Sequence, residues 1–381
     1  MRKVFVLNCG SASIKYKLFD ADSGYAVLSE GIIERIEAGS EAYQAAFGTI
    51  FGRLHAEGVL EDPNELYAAG HRVVHGGEAF VAPVRIDADV IAEIERLIPL
   101  APLHNPANLE GIKMLQNAAP DLFQAAVFDT AFHQSMPPEA YRYAIEERLY
   151  REQGIRRFGF HGISHAYLTR RSCALLGKTP EHCNLITLHL GGGASATAVC
   201  GGRSIDTSMG FTPLEGLVMG TRCGDLDPGA VLYLIQEAGV TPQALGQSLE
   251  HESGLKGVCG SADMRDILKR RAEGDTEAAL AFSLFCRRIQ KYIGAYIALL
   301  GRVDAIVFSG GVGANASEVR AEVCANLSHL GIVCDPEKNS AACRDAVMFA
   351  SDESRIALIA MQTDEELEIA RQTTQLREES S

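Results

Sequence analysis

The stretch Val4-Phe5-Val6-Leu7-Asn8-Cys9-Gly10-Ser11-Ala12-Ser13 joins a short apolar run to a loop of small residues. Such a run is typical of a buried strand, and Ile14 to Phe19 predicts a strand that returns beside it. A glycine after a strand lets backbone N–H groups turn toward an anion, which is a common way to bind phosphate. The stretch therefore predicts two strands joined by a candidate phosphate loop.

The same arrangement recurs about half a chain later. Leu185 to Leu188 leads into His189-Leu190-Gly191-Gly192-Gly193-Ala194-Ser195, and another strand-like segment follows. His189 lies 189 − 8 = 181 residues after Asn8 in a chain of 381. A further run, Ala305 to Phe308, meets Ser309-Gly310-Gly311-Val312-Gly313, after which the residues are helical in character. Two similar loops half a chain apart predict a duplicated α/β domain with a nucleotide in the cleft between the copies.

Helical segments are predicted between these strands. Thr276 to Leu300 has apolar residues at mixed spacing and predicts a long, largely buried helix. Asp227-Pro228 is typical of a helix start, because Asp caps and Pro fits the first helical position. Arg355 to Met361 predicts a strand, and Asp364 is placed to cap a final helix that runs to about Gln375.

Composition excludes several classes of partner. The chain has 35 Lys and Arg against 49 Asp and Glu, a formal charge of −14, and it has no basic run, so we expect neither nucleic acid nor a membrane as partner. No apolar run approaches the ~18 residues of a membrane span. Ten cysteines without a C-x-x-C pair argue against a disulfide framework or a zinc ribbon. We expect a cytoplasmic protein.

Five clusters outside the glycine loops combine cations, imidazoles and carboxylates. They are His71 to Gly77, Ala101 to Pro106, Val127 to His133, Arg157 to His165 and Met219 to Asp227. Phosphoryl transfer needs such groups, because cations neutralise the phosphoryl oxygens and a polar group orients the acceptor. His161 and His165 have the spacing of a zinc-binding helix pair. We exclude zinc because the sequence lacks the glutamate of H-E-x-x-H and because the flanking glycines disfavour a helix.

The sequence resembles the acetate kinase family, within the acetate and sugar kinase/Hsp70/actin superfamily. The matching motifs occur in family order along nearly the whole chain. They are N-C-G-S-A-S-I-K (8–15), H-R-V-V-H-G-G-E (71–78), A-P-L-H-N-P (101–106), V-F-D-T-A-F-H (127–133), F-G-F-H-G-I-S-H (158–165), M-G-T-R-C-G-D-L-D-P (219–228), S-A-D-M-R-D (261–266), F-S-G-G-V-G-A-N (308–315) and T-D-E-E-L (363–367).

The resemblance implies an α/β fold of two duplicated actin/hexokinase-like (ribonuclease H-like) domains with an active-site cleft between them. Domain I would comprise residues 1–149 and 366–381, and domain II residues 150–365. The implied reaction is reversible, direct in-line transfer of the γ-phosphoryl group of ATP to acetate, giving acetyl phosphate and ADP. The family also implies a homodimer.

The resemblance assigns roles on the acceptor side. Arg72 would bind the acyl carboxylate, and Asp129 would act near the acceptor. His161 and Arg222 would stabilise the transferring phosphoryl group, whose charge spreads over three oxygens. The pocket for the acetate methyl group would be formed by Val74, Leu103, Phe160 and Pro213.

It also assigns the donor side. Asn8 and Glu365 would hold Mg²⁺ (or Mn²⁺) directly or through water, with Glu366 as the alternative to Glu365. The donor phosphates would contact Lys15 and the loop formed by His189, Leu190, Gly191, Gly192 and Gly193. The adenosine of ATP or ADP would lie against Asp263, Met264, Arg265, Gly311, Val312, Gly313, Ala314 and Asn315.

Two residues depart from the family pattern, and both belong to the donor side. Gly192 stands where the family usually has Asn, and Ala314 where it usually has Glu. We favour tolerated variation, with a changed phosphoryl donor such as pyrophosphate as the alternative. A propionate kinase is a second alternative, because one methylene changes binding by only ~1–3 kcal/mol. The alternative from another class is a nucleotide-dependent clamp that binds protein.

Overall fold

The computed structural model describes residues 1–10, 12–36 and 39–380; Ser11 of the first glycine-rich loop lies outside the described residues. The strands are β1 (Lys3–Gly10), β2 (Ser13–Asp20), β3 (Ala26–Glu34), β4 (Ala68–Val73), β5 (Val84–Arg85), β6 (Gln124–Phe128), β7 (Asn184–Leu190), β8 (Ala194–Cys200), β9 (Arg203–Thr207), β10 (Ala305–Ser309), β11 (Ala346–Met348) and β12 (Ala357–Met361).

The helices follow the same chain order. They are α1 (Ser40–Ala56), α2 (Ala88–Arg96), α3 (Asn105–Ala118), α4 (Pro138–Tyr141), α5 (Glu147–Gln153), α6 (Gly162–Leu175), α7 (Pro228–Gln236), α8 (Pro242–His251), α9 (Gly254–Cys259), α10 (Met264–Ala272), α11 (Thr276–Leu300), α12 (Gly310–Asn315), α13 (Ser317–Cys324), α14 (Pro336–Ser340) and α15 (Glu365–Glu379). Among the described residues, no helix combines the length and apolar character that crossing a membrane requires.

The chain divides into two compact units. Unit 1 is Met1–Gln134 with Asp364–Ser381, and unit 2 is Ser135–Thr363. The expected boundary at 149/150 falls inside unit 2, and the observed return to unit 1 begins just before Glu365.

Each unit contains one six-stranded sheet, and the two sheets have the same topology. Their strand orders are β3-β2-β1-β4-β6-β5 and β9-β8-β7-β10-β12-β11. In each, a three-stranded antiparallel meander is followed by two parallel strands and a short antiparallel edge strand. The predicted repeat of strand, glycine-rich loop and returning strand is therefore confirmed, and so is the duplicated α/β fold.

Helices bury the faces of the unit 1 sheet. The β1–β2 hairpin packs with α1 and α3 around Phe5, Leu7, Tyr16 and Ile50, all of which are buried. α15 packs closely against β4. A Cβ on Gly70 of β4 would collide with Thr373 and Ile369 of α15. Gly70 therefore sets how closely α15, which carries Glu365 at its start, approaches the strand that carries Arg72.

In unit 2, α11 has the predicted bounds, Thr276–Leu300. The expectation that it is largely buried was wrong. Eight of its residues are buried, at intervals of three and four from Ala278 to Tyr296, whereas Leu280, Leu284 and Leu299 are exposed. The helix is thus amphipathic, with one face buried and the opposite face exposed. Asp227 caps α7 and Asp364 caps α15, as predicted.

Candidate active site

In unit 1, three polar side chains lie at the carboxyl ends of neighbouring parallel strands. Asn8 is near the end of β1, Arg72 near the end of β4, and Asp129 directly follows β6. The registers pair Leu7 with His71 and Arg72 with Val127, so these strand ends meet at one edge of the sheet. In open α/β sheets this edge is where ligands bind.

A buried ion pair joins two of these residues. Arg72 donates from Nε to Asp129 Oδ1 at 3.2 Å and from Nη2 to Oδ2 at 2.5 Å, and Asp129 is only 2% exposed. Arg72 Nη1 also donates to Asn8 Oδ1 at 3.1 Å. Burial lowers the pKa of Arg72, but the carboxylates of Asp129 and Glu365 outweigh it and raise the pKa on balance. The guanidinium is therefore a fixed, permanently charged group at the strand ends.

The first turn of α15 adds two carboxylates with different surroundings. Glu366 is buried and forms an ion pair with Lys15, with 2.8 Å between Oε1 and Nζ. Burial raises the pKa of Glu365 to about 7; the carboxylates of Asp129 and Glu366 also raise it, while Arg72 and Lys15 oppose the rise. Three carboxylates face two cations in this cluster, so an added cation would lower the electrostatic free energy of the ionised state.

The donor atoms of this cluster fit a magnesium ion that is shared with a phosphate substrate. The amide oxygen of Asn8 and the carboxylate of Glu365 are hard oxygen ligands, which Mg²⁺ prefers. Within the described part of the chain, no group of three or more His, Cys, Asp or Glu residues has the geometry of a metal site. Mg²⁺ does not need such a group, because it commonly keeps several waters and binds one or two protein oxygens together with substrate phosphates.

In unit 2, the second glycine-rich loop lies beside two predicted catalytic side chains. A Cβ on Gly193 would stand 3.3 Å from Cε1 and Nε2 of His161 and 3.4 Å from Nη1 of Arg222. The ring of His161 also stacks on His189, with 4.3 Å between ring centroids. The structure thus brings His161, His189, Gly193 and Arg222 together.

Backbone hydrogen bonds hold the loop that carries Arg222. The Gly220 N–H donates to the Gly192 carbonyl at 3.2 Å, which ties this loop to the glycine-rich one. The Met219 N–H donates to the Arg222 carbonyl at 3.1 Å and closes a turn. The Arg222 side chain contacts a neutral partner, with Nη1 3.8 Å from the sulfur of Met219. In contrast to Arg72, Arg222 forms no ion pair with a carboxylate in the part of the chain that the structure describes.

Three hydroxyl groups hold the histidine rings. Ser195 Oγ lies 2.9 Å from His161 Nδ1 and 2.8 Å from His165 Nε2, and His165 Nδ1 lies 2.8 Å from Thr187 Oγ1. Ser164 Oγ lies 2.8 Å from His189 Nδ1. The three hydroxyl groups belong to strands β7 and β8 and helix α6 of unit 2, so the three rings are oriented by rigid elements.

The expectation that glycines disfavour a helix around His161 was wrong. α6 begins at Gly162, and His161 precedes it in the left-handed region at φ 58°. A glycine is tolerated at a helix start, because the first turn contributes few intrahelical bonds. His165 therefore lies in the first turn of α6, where it contacts Ser195 and Thr187.

A cavity of about 980 Å³ in unit 2 contains most of the residues predicted for the donor nucleotide. It is lined by Gly191, Gly192, Ala262, Asp263, Met264, Arg265, Leu268, Gly311, Val312, Asn315, Ala316 and Glu318. Asp263 and Arg265 form an ion pair at its edge, 2.6 Å between Oδ2 and Nη2. Gly313 and Ala314 are buried beside it. A cavity of this size with glycine backbone at one end can accept a nucleotide.

The residues predicted for the methyl pocket divide between the units. Val74 and Leu103 belong to unit 1, and Phe160 and Pro213 belong to unit 2. Val74 and Phe160 are buried, whereas Leu103 is 59% exposed.

Sequence reasoning missed the residues behind the site. Ser195 bonds His161 directly, and His165 and Thr187 continue the series of hydrogen bonds behind it. Arg320 donates to the carbonyls of Gly313 and Ala314. The available signal was weak: Thr187, inside a predicted buried strand, needs a hydrogen-bond partner. The sequence alone does not identify these partners, because they meet only when the strands pair.

Comparison with known proteins gives matches along nearly the whole chain. The model of the acetokinase family matches residues 3–371. The acetate kinase of Streptomyces avermitilis is 50% identical over 392 residues, covering 97% of this chain and 96% of that protein. The crystal structure of Porphyromonas gingivalis acetate kinase aligns with a TM-score of 0.93 at 39% identity, covering 99% of this chain and 100% of that chain. That of a propionate kinase from Francisella tularensis has a TM-score of 0.92, with the same identity and coverage.

Proposed function

The chain belongs to the acetokinase family, and we propose that it is an acetate kinase, which transfers the γ-phosphoryl group of ATP to acetate and gives acetyl phosphate and ADP. The reaction is reversible, because both products and substrates carry a phosphoryl group on a good leaving group. The transfer is direct and in line, with the acetate oxygen as nucleophile and the β-phosphate oxygen of ADP as leaving group. A small carboxylate and a nucleotide are therefore the two substrates.

In this mechanism Arg72 binds the carboxylate of acetate. A guanidinium has five N–H donors, of which three are used by Asp129 and Asn8. Two donors remain for a substrate carboxylate, and the buried bond to Asp129 keeps the guanidinium plane fixed while they engage it. Asp129 thus acts by orienting Arg72.

His161 and Arg222 stabilise the phosphoryl group during transfer. Their facing atoms, Nε2 and Nη1, lie beside the same glycine, so both reach one group bound at Gly193. Charge on the three equatorial oxygens grows in a loose transition state, and preorganised donors at that point lower the barrier. The backbone N–H groups of the glycine loop and Lys15 bind the donor phosphates.

Asn8 and Glu365 would hold Mg²⁺ or Mn²⁺, directly or through water. When bound, the ion neutralises donor phosphate charge, which is the chemistry it supplies in other phosphotransferases. Glu365 is the better ligand than Glu366, because Lys15 already occupies the Glu366 carboxylate.

One observation carries this proposal. The buried carboxylate of Asp129 fixes Arg72, which keeps two N–H donors, at the edge of the first sheet. The second sheet has the same strand order and carries the glycine-rich loop. The test traps acyl phosphate as its hydroxamate, with Mg²⁺, ATP and acetate. Product that depends on all three supports the proposal. Bound ATP without product from any acceptor would favour the protein-binding clamp instead.

The same assay decides between acceptors and donors. The chain is 39% identical both to the protein in the propionate kinase structure and to that in the acetate kinase structure, so propionate is the second candidate acceptor. We expect acetate to give the higher kcat/KM and propionate to remain a substrate. Product with pyrophosphate and none with ATP would assign Gly192 and Ala314 to a rebuilt donor site.

We also propose a homodimer formed through unit 2. Leu232 and Tyr233 of α7 are 54% and 63% exposed, and Leu226 just before this helix is exposed as well. They adjoin a cavity of about 580 Å³ with a largely apolar lining that includes Phe211, Leu214 and Leu249. An exposed apolar patch of this kind is typical of a subunit interface. Light scattering should give a dimer mass, and Leu232→Glu should shift it to the monomer.

A further inference from the structure

Four side chains form a continuous chain of hydrogen bonds behind His161. In order they are His161 Nδ1, Ser195 Oγ, His165 Nε2 and Nδ1, and Thr187 Oγ1, with separations of 2.9, 2.8 and 2.8 Å. Ser195, His165 and Thr187 are fully buried. The opposite edge of the His161 ring, Cε1 and Nε2, faces the backbone of Gly193, with Arg222 Nη1 beside it.

The number of protons in this series of hydrogen bonds restricts the tautomer of the His161 ring. Ser195 has one hydroxyl proton and lies between two ring nitrogens, so it donates to at most one ring and accepts an N–H from the other. If Ser195 donates to His161 Nδ1, the neutral His161 ring carries its proton on Nε2. His165 then donates from Nε2 to Ser195 and accepts the Thr187 hydroxyl at Nδ1. Every group in the chain is satisfied in this arrangement.

The reversed arrangement serves the proposed reaction poorly. There His161 donates from Nδ1 to Ser195, and neutral His161 presents a lone pair at Nε2 to the phosphate loop. A lone pair repels a phosphoryl oxygen, whereas an N–H donates to it. Only the first arrangement supplies a donor next to Arg222 while His161 is neutral.

We propose that Ser195, His165 and Thr187 are positioning residues, which hold the ring proton of His161 on Nε2 so that it donates to the transferring phosphoryl group. The proposal rests on the proposed function for the identity of that group. The tautomer itself is a property of the free protein and is measurable without turnover.

The first test reads the tautomer in the intact protein. Ring-¹⁵N-histidine is incorporated, and the His161 signals are assigned by their loss in His161→Asn. We expect a protonated Nε2 and an unprotonated Nδ1 at pH 8. A proton on Nδ1, alone or together with one on Nε2, would overturn the proposal, whatever the enzyme's activity.

The second test uses a matched pair of isosteric substitutions. Thr187 and Thr197 face each other across β7 and β8, and both are buried, but Thr197 bonds Thr207 in place of a histidine. We expect Ser195→Ala to lower kcat about 10- to 100-fold and Thr187→Val about 3- to 10-fold, the range for groups that orient a functional histidine. The KM values for acetate and ATP should stay within about twofold, and Thr197→Val should keep wild-type kcat.

The outcomes separate the two claims. Equal kcat in Thr187→Val and Thr197→Val would overturn the positioning role, because the two variants lose the same buried hydroxyl chemistry at neighbouring positions. Wild-type protein without phosphotransfer to any acceptor would overturn the proposed function, and the tautomer measurement would still decide the inference. If Ser195→Ala does not fold, Thr187→Val and the labelled wild-type protein carry the test.

Discussion

The two sheets share a strand order, but the charged side chains at the carboxyl ends of their strands have different partners. In unit 1, Arg72 is fixed by a buried ion pair with Asp129, and Lys15 by one with Glu366. In unit 2, Arg222 has a thioether beside it, and the histidines are held by neutral hydroxyl groups. The duplicated scaffold therefore supports two kinds of site.

The difference follows from what each proposed ligand requires. A carboxylate substrate needs a rigid guanidinium, and a buried carboxylate partner supplies the rigidity. A transferring phosphoryl group needs donors whose charge is not already neutralised, and glycine backbone that lets it approach closely. The comparison predicts that removing a charge from unit 1 affects the fold and that removing one from unit 2 affects mainly the rate.

Arg222→Ala should produce the largest change in rate. Its positive charge compensates the transition state, and an arginine in that role contributes roughly 10³-fold or more to kcat. The half-buried side chain makes no ion pair with the described residues, so the unfolding free energy should change by less than about 1 kcal/mol. Steady-state kinetics with urea denaturation on the same preparation checks both. Near wild-type kcat would remove Arg222 from the transition state.

Arg72→Ala should produce the largest change in stability. It leaves Asp129 buried without its cation, and breaking a buried pair costs about 3–5 kcal/mol. Arg222→Ala, measured by the same denaturation, is the matched control from the other unit. An equal, small effect in both variants would show that the contrast between the two edges has no energetic consequence.

Gly193→Ala should have an intermediate effect. The added Cβ would stand 3.3 Å from the His161 ring and 3.4 Å from Arg222 Nη1, so the His161 ring must shift by a few tenths of an ångström. Misplaced donors reduce kcat, here by about 10-fold or more. Gly192→Ala is the control in the same loop, because its Cβ would meet nothing within 4 Å. If both variants have the same kcat, crowding at His161 and Arg222 is not important for turnover.

The smallest effect concerns pH and two buried histidines of unit 1, His71 and His75. Burial lowers the pKa of His71 and of His75 to about 4, against about 6.5 in the unfolded chain. The unfolded state therefore binds more protons between pH 6.5 and 4, so stability is fully present above that window and is lost as pH falls through it. At pH 5.5 each histidine should cost roughly 1 kcal/mol relative to pH 7.5.

The checking variant is His71→Gln, with exposed His329→Gln of unit 2 as control. The loss of unfolding free energy between pH 7.5 and 5.5 should shrink by about 1 kcal/mol in the first variant only. An unchanged pH dependence in His71→Gln would mean that His71 keeps its ordinary pKa in the folded protein.

The fold was largely predictable because its signals are local. Apolar runs that end in glycine gave the strands β1, β7 and β10, and the offset between two such loops gave the duplication. The bounds of α11 were also predicted, but its half-exposed face was not, because apolar residues at mixed spacing do not say which face meets the sheet. Strand β12 begins at Ala357, two residues later than predicted.

The roles of Arg72, Asp129, His161 and Arg222 came from the family resemblance and remain predictions. The structure does bring Arg72 together with Asp129, and His161 together with Arg222. The hydroxyl groups behind His161 were not predictable, since Ser195 meets His165 only after β8 pairs with β7 and α6 packs on β7. Such partners depend on tertiary packing, which a single sequence does not display.

The central claim is that Arg72 of unit 1 binds the acceptor carboxylate and that the 980 Å³ cavity of unit 2 binds the donor nucleotide, and a crossed pair of KM values tests it directly. Gly311 lines this cavity, and a Cβ there would meet nothing within 4 Å, so Gly311→Phe places a larger side chain at the cavity wall. Gly311→Phe should raise KM for ATP about 10-fold or more and leave KM for acetate within about twofold, whereas Arg72→Ala should do the reverse. If Gly311→Phe raised KM for acetate and left that for ATP unchanged, the division of the two substrates between the units would be contradicted.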